Sequence, residues 1–427
     1  MFQCMGWTKQ KALIAVLFII LLSTFLSAHA NQKIFKGGHA KYFFVLNTFP
    51  DDSLFLDYLD TPAIDHNGDV RLKFSGQKDS LSASADYQMI LQHGDSVALI
   101  SDSPGGVLST IRVPNDDFRL LDLTHVIHQG DDTVLTHRLD RLYVDITGQK
   151  AVARVGRQAI SWGNGMFYTP MDFFNPFDPS AVDKEYKTGD DMLYGQYLLD
   201  SGDDIQAVWV VRRDINGDVS SDVDSIAAKY HGFMGEYEYD LLISQHFDDV
   251  ILGAGGIANL GGAVWRGDIT LTDTQTEAVM SLVTSLTYSW VGWGKNTSGI
   301  LEYFYNGFGI SDGDYSPAAL ANNPDLVSRI VRGELFTLGQ HYIVGSAMIE
   351  MTPLWMLTPN VFLNASDGSF LAQLVSTYDF KQDWQLLAAL SLPVGSNGTE
   401  YGGIDSGVPG KPLSYGFNVF AQLAWYF

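Results

Sequence analysis

The chain runs to 427 residues and carries 49 acidic against 26 basic side chains, a formal net charge of −23. So acidic a surface argues against nucleic acid as a partner, because phosphate binding needs Lys and Arg gathered on one face. The single cysteine, Cys4, excludes a disulfide framework, while 42 Gly, 20 Tyr, 25 Phe and only 18% charged residues fit many strands with tight turns and aromatic belts.

At the N-terminus Lys9 and Lys11 precede an apolar run from Ala12 to Leu22 that continues to Leu26 and ends at Ala28-His29-Ala30. A charged region, a hydrophobic region and a small-residue cleavage site in that order predict a secretory signal over residues 1 to 30. The alternative, a single membrane anchor, needs about 20 spanning residues, and this run is short of that. Cys4 stands before the apolar run, so it is not placed like a lipoprotein cysteine, and the mature chain has no thiol for catalysis. Residues 31 to 427 show no internal repeat and no compositional break, and read as one barrel unit. Residues 31 to 38 are too few for a plug domain, which disfavours a TonB-gated receptor.

From about residue 39 a period of two recurs, the mark of strands with different media on their two faces. Acidic clusters at Asp51-Asp52, Asp131-Asp132, Asp203-Asp204, Asp214 to Asp224 and Asp312 to Asp314 fall between the alternating segments. They read as solvated loops, which at a cell surface share divalent cations with lipopolysaccharide phosphates. His125 and His128 have helical metal spacing with His137 after them, but no carboxylate completes a set, and solvated histidines are the reading adopted.

The most distinctive segment runs from His137 to Thr188. It begins HRLDRLYVDITG, turns, continues KAVARVGRQAISWGNG and enters MFYTPMDFFNPFDPSAVDKEYKTG. The run R-x-G-R-Q-x-x-x-W-G-x-G from Arg154 to Gly165, followed by P-x-D-x-F-N-P and D-K-E-Y-K, resembles a group of poorly characterised proteobacterial outer-membrane barrels. Its G-R-Q-x-x-x-x-G core is similar to alginate-export-type channels. The resemblance covers about fifty residues and implies a porin-like or exporter-like channel, with no substrate attached.

Read physically, alternation puts Leu142, Val144 and Ile146 toward lipid and Arg141, Tyr143, Asp145 and Thr147 inward. The next strand puts Arg154 and Gln158 on one face and Arg157 on the other. Arg facing mid-bilayer lipid costs roughly 2 to 4 kcal/mol, so a bulge is predicted at Gly156, whose backbone freedom permits one. Arg141, Arg154 and Arg157 are then expected on the lumen wall, with Asp140, Asp145 or an inward loop as counter-charge. They set the pore field or, alternatively, pin the wall as a structural network. The loop 163 to 190 carries Pro170, Pro176 and Pro179 among Phe167, Tyr168, Phe173, Phe174 and Phe177, and so aromatic a segment needs burial. It is expected to fold into the barrel mouth, with Asp172, Asp178, Asp183 and Glu185 meeting the arginines across the opening. A cap on the upper rim or a subunit contact is the alternative.

Further along, Asp214 to Asp224 begins like a calcium loop but has Val219 where Gly belongs and Ser225 where Glu belongs. Tyr237, Tyr239, Leu241 and Ile243 oppose Glu236, Glu238, Asp240 and Ser244, and Ala263, Trp265, Ile269 and Leu271 oppose Arg266, Asp268, Thr270 and Thr272. Leu282 to Trp290 and Trp384 to Leu392 repeat the pattern. Charged side chains sharing a strand with an apolar row predict a wet interior inside a lipid-facing wall. From Leu413 the alternation holds to Phe427, and a terminal Phe with Trp425 before it resembles the closing-strand signal read by the barrel-assembly machinery.

The fold expected is an all-β, transmembrane antiparallel barrel of about eighteen strands, sixteen being the alternative. Starts fall near residues 39, 68, 81, 134, 150, 191, 203, 224, 236, 249, 260, 278, 298, 337, 354, 368, 384 and 413. Short connections such as 76 to 79, 148 to 149, 200 to 202 and 381 to 383 alternate with long ones, placing both termini in the periplasm. No G-x-S-x-G, P-loop or Rossmann fingerprint is present, and no cofactor is implied. The leading function is an outer-membrane channel for small hydrophilic solutes; the alternatives are a polysaccharide-exporter-type channel, a rim enzyme with Ser, His and Asp, or an assembly scaffold. Subunit number is left open, a homotrimer being one arrangement.

Overall fold

The computed structural model describes residues 34–102 and 113–427. The segment read as a signal, 1 to 30, lies outside the described residues, and Cys4 with it. Nineteen strands are formed: β1 (Phe35–Asn47), β2 (Ala63–Lys78), β3 (Leu81–Gly94), β4 (Thr124–Gln129), β5 (Thr133–Thr147), β6 (Ala151–Gln158), β7 (Asp190–Leu198), β8 (Asp204–Val210), β9 (Ser225–Met234), β10 (Tyr237–His246), β11 (Asp249–Leu260), β12 (Ala263–Asp273), β13 (Ala278–Gly292), β14 (Lys295–Tyr305), β15 (His341–Thr352), β16 (Trp355–Asn364), β17 (Phe370–Lys381), β18 (Trp384–Val394) and β19 (Asn418–Tyr426). All pairings are antiparallel, and β1 pairs with β19 from His39↔Tyr426 to Asn47↔Asn418, closing the sheet. Closure leaves no edge of unpaired N–H and C=O groups, the condition for strands to cross lipid.

Eighteen strands make the wall and correspond to the eighteen predicted, their starts agreeing within five residues. The nineteenth, β4, lies in what the sequence presented as a loop. β5 pairs with β3 along its whole length on one side. On the other side β6 covers only Leu142 to Thr147, and β4 covers Val134 to Arg138. β4 therefore continues the line of β6, so the wall stays closed where the chain leaves β6 at Gln158 and turns inward. At the other end of the chain, β19 begins at Asn418 and not at 413. Leu413 and Tyr415 pack with Phe49 and Phe55 in a loop cluster, the Phe55 and Tyr415 ring centroids 4.6 Å apart.

The outward rows are apolar and bare: Leu241, Ile243, Leu271, Leu286, Tyr288 and Trp425 are all exposed. Every connection at the end of the barrel where β1 begins and β19 ends is a tight turn, from Asp79-Ser80 round to Gln382-Asp383, and among the described residues the long connections 48–62, 159–189, 306–340 and 395–417, with the flanking pieces 95–102 and 113–123, are at the other end. The inward rows differ from the wet interior expected. Asp240, Asp268 and Glu302 are 4%, 3% and 1% exposed, because the connection after β6 packs over them. Trp162, Met171, Phe173 and Phe174 of that connection form one apolar cluster with Met192, Val208, Leu242 and Ile251 of the wall.

Candidate functional site: the inward loop and its wall

The chain between β6 and β7, residues 159–189, is fixed to the barrel by its backbone. The Asn164 N–H donates to Asp268 at 2.6 Å, and its side-chain amide bridges Asp268 at 2.7 Å and Asp240 at 3.1 Å. The Gly165 N–H also donates to Asp268, at 3.3 Å, and the three N–H groups after it, of Met166, Phe167 and Tyr168, all donate to the Glu302 carboxylate at 2.6, 3.0 and 2.8 Å. Consecutive N–H groups converge on one anion only when the backbone curls into a nest. Gly165 allows the curl, since a Cβ there would stand 1.9 Å from the Tyr168 carbonyl oxygen. The W-G-x-G run and the three residues after it thus form a pair of cups for two wall carboxylates, Asp268 and Glu302. Tyr168 then stacks on Phe304, centroids 4.6 Å apart and planes 11° from parallel.

The second half of the loop reaches other parts of the ring. The Lys187 ammonium donates to both Asp172 oxygens at 2.5 and 2.6 Å, a clasp within the loop itself. Burial outweighs that pairing and pushes the Asp172 carboxyl up to about 6, and burial likewise lowers the Lys187 ammonium. Tyr186 lies under two cations of β2, Arg71 at 4.0 Å and Lys73 at 4.7 Å from its ring centroid. Lys41 of β1 pairs with Asp183 and Glu185, each at 2.7 Å, and Tyr426 of β19 donates to Glu185 at 3.0 Å. Burial drives the Glu185 carboxyl upward, but Lys41 and the flanking tyrosine hydroxyls more than offset it and hold it below the usual range. Gln373 of β17 donates to the Ser180 carbonyl at 3.0 Å. One segment is thus tied to β12 and β14 on one side and to β1, β17 and β19 on another, running across the lumen.

The loop acids meet lysines and not arginines, which corrects the expected pairing. Asp172 meets Lys187; Asp183 and Glu185 meet Lys41; Asp178 caps a turn, accepting from the Ser180 N–H at 2.7 Å and its hydroxyl at 2.8 Å. The reason is reach: the loop tip lands at the β1–β19 seam, while the arginines stand on β5 and β6. Arg141 donates to Asp140 at 2.8 Å and to the Lys187 carbonyl. Arg154 pairs with Asp145 and lies 4.2 Å from the Tyr143 ring centroid. Arg157 is 2% exposed and joins Asp191 at 2.8 and 2.9 Å, Asp116 at 2.8 Å and the Leu121 carbonyl. That corrects its expected place on the lumen wall: enclosed by carboxylates, it pins β6 and β7 to the strap 113–123 and has no surface to offer a solute. Arg157 in turn lowers the Asp116 carboxyl, against the upward pull of burial. Gln158 is buried as well, donating to the Met192 carbonyl at 3.2 Å.

Gly156 does hold the special backbone its position requires, with φ +123° and no room for a Cβ beside the Leu142 carbonyl. It causes no register break, however, since β5 and β6 pair without a shift. The break is at Asp140, left over between Asp86↔Arg141 and Tyr87↔Leu139. Lys41, Arg71, Tyr186, Lys187, Asn164 and Glu302 escaped the sequence reading. Glu302 alone gave a signal, as an unexplained acid in the aromatic strand GILEYFY. His125 and His128 lie on a strand, which removes the helical spacing, and the described residues hold no cluster of three metal-ligating side chains.

No protein-family model matches the sequence, and no curated protein matches it. Solved structures match it in fold. OccK5 (OpdH) of Pseudomonas aeruginosa is 8% identical over 92% of this chain and 98% of its own, with a TM-score of 0.51. A BenF-like porin from Pseudomonas fluorescens Pf-5 is 9% identical over 92% and 98%, with a TM-score of 0.50. Wzi of Escherichia coli, an outer-membrane protein involved in group 1 capsule assembly and described as a carbohydrate-binding β-barrel, is 9% identical over 91% and 84%, TM-score 0.50. The chain has the fold of these outer-membrane barrels. At such identities the likeness is one of fold alone.

Proposed function

We propose that the chain is an outer-membrane channel for small hydrophilic solutes, exported to the periplasm and inserted with both termini on the periplasmic side. The observation that carries this is a closed barrel, apolar outside and charged inside, whose inward loop 159–189 is tethered across the lumen as a constriction. Arg141, Asp145 and Arg154 of the wall, with Asp183 and Glu185 of the loop, line the passage; Asp172 and Asp178 shape the loop from within, and Arg157 and Gln158 support the wall. Cations on β1, β2, β5 and β6 face carboxylates on the same wall and on the loop tip, so the constriction sets up a transverse field with little net charge. Passage follows the solute gradient, and no step of chemistry is required of the protein.

The test is single-channel conductance in a planar bilayer, with the reversal potential taken across a salt gradient. Discrete steps with a reversal potential near zero are expected in spite of the net charge of −23, since selectivity follows the narrowest point. A strongly cation-selective pore would refute control by the constriction. One observation favours a second reading: the inward side chains beneath the loop are buried all round, as in a packed barrel. A silent, folded barrel would support a surface scaffold, or an exporter of the alginate-export type opened by a partner.

A further inference from the structure

Between the inward loop, the inner face of β12 and β13, and the segment 329–337 lies a part-open cavity of about 70 Å³. Its walls are aromatic: Phe173 and Phe177 come from the loop, Phe308 and Phe336 from the long connection opposite. Every charge that borders it is already paired. Arg329 is engaged by Asp249 and lies 3.8 Å from the Phe308 ring centroid. His246 is shared between Glu334 and Ser225, each at 2.8 Å, and Glu334 also receives Arg332 at 2.7 and 2.9 Å. Asp172 is closed off by Lys187.

Two buried residues of the cavity wall carry hydroxyls that no group among the described residues engages. Thr270 and Thr272, two residues apart on β12 and so on the same inward row, are each 4% exposed and line the cavity; among the described residues their hydroxyls make no hydrogen bond, and neither is among the polar atoms sealed from solvent. A hydroxyl that meets a cavity without a protein partner is open to a hydrogen bond from water or from a ligand atom. Two side by side on an aromatic chamber mark the place where a ligand's polar atom belongs.

The lining selects the chemistry. An anion would lose its hydration and find no free cation. A sugar would bring many hydroxyls to two partners and leave most of them unsatisfied. A single flat ring with one hydroxyl matches both features, stacking against the phenylalanines and closing the two open hydrogen bonds. We infer that this chamber is a binding site for a neutral, monocyclic aromatic alcohol, held by Thr270 and Thr272 at its oxygen and by Phe177 and Phe336 at its ring. The site is formed by loop and wall together and does not require that the lumen conduct.

Equilibrium dialysis of radiolabelled phenol against the detergent-solubilised full chain, with matched empty micelles subtracted, tests this directly. One saturable site is expected for phenol and none for benzoate or glucose. T270V/T272V keeps shape and removes both hydroxyls, and weakens phenol binding by about tenfold, as the loss of two ordinary hydrogen bonds requires. Phe336 stands 40% exposed at the mouth, so Phe336→Ala leaves the fold intact while lowering affinity several-fold. Absence of saturable binding to the folded wild type, tighter binding of benzoate or glucose, or phenol affinity unchanged in both variants would each overturn the assignment.

Discussion

Replacing Glu302 by alanine withdraws the single acceptor of three backbone donors, those of Met166, Phe167 and Tyr168. Each is a bond to a charged group, worth about 1.5 to 3 kcal/mol net, and each donor left buried without a partner costs about 1 to 3 kcal/mol. These terms do not add fully. The space vacated by the side chain admits water, and the cost of holding a carboxylate at 1% exposure disappears with it. We therefore expect the docked loop to lose about 3 kcal/mol, which raises the population of its undocked state by roughly 150-fold. Glu302→Gln is the graded control: one carbonyl oxygen replaces two carboxylate oxygens, so the Met166 bond or the Phe167 and Tyr168 pair is lost, a cost of about 1 to 2 kcal/mol. Chymotrypsin reads the difference, because Phe167 and Tyr168 are cleavable only when the loop leaves the wall, and cleavage tracks the open population when reclosing is fast. The expected order of cleavage rate is alanine, glutamine, wild type, each step about tenfold or more, with the barrel otherwise intact on a gel. If the alanine variant were cut no faster than wild type, the claim that this nest holds the loop would be wrong.

Arg157→Met leaves Asp191 a buried carboxylate without its cation and Asp116 with Arg119 alone, and the barrel should lose about 3 to 5 kcal/mol of stability; denaturant unfolding by fluorescence checks this, and an unchanged midpoint would show that the network is idle. Lys41→Gln frees Asp183 from the β1–β19 seam and leaves Glu185 held there by Tyr426 alone, so single-channel current should become noisier and the reversal potential should move toward cation selectivity; a shift of opposite sign would contradict the placement of those acids on the passage. Glu400 accepts from the Tyr342 hydroxyl at 2.6 Å, the Asn364 amide at 2.7 Å and the Leu338 N–H at 3.0 Å, joining the long connections 306–340 and 395–417 to β15 and β16. Burial raises it from 4.5 to about 7 in spite of those donors. A raised folded value means that the folded joint holds a proton the unfolded chain gives up. Its stabilisation is therefore full below pH 4.5 and fades as pH rises through about 7. Thermal unfolding of wild type against Glu400→Gln across that window should show a slope in the first and a flatter profile in the second, and identical profiles would remove Glu400 as the cause.

What the sequence determined by itself was the wall. Which medium each face of a strand meets is written residue by residue in the alternation, and a lipid-facing row such as Leu282 to Trp290 tolerates no slip without moving polar side chains into lipid. The same local logic made Gly156 a special backbone position. The interior was decided only by the tertiary structure. On a closed ring any inward acid is a candidate partner for any inward base, and the pairs actually formed join residues as distant as Lys41 and Asp183, or Tyr168 and Glu302. Nothing in the local pattern ranks such pairs, because they follow from where the inward loop crosses. That crossing depends on β4 filling the wall behind it, a strand of six residues, Thr124 to Gln129, whose exposed side chains mix His125, His128 and Gln129 with Ile127 and carry no barrel signature. The wall is fixed by contrast with the solvent, a one-body property of each side chain, whereas the interior is fixed by mutual fit, which exists only once the ring has closed.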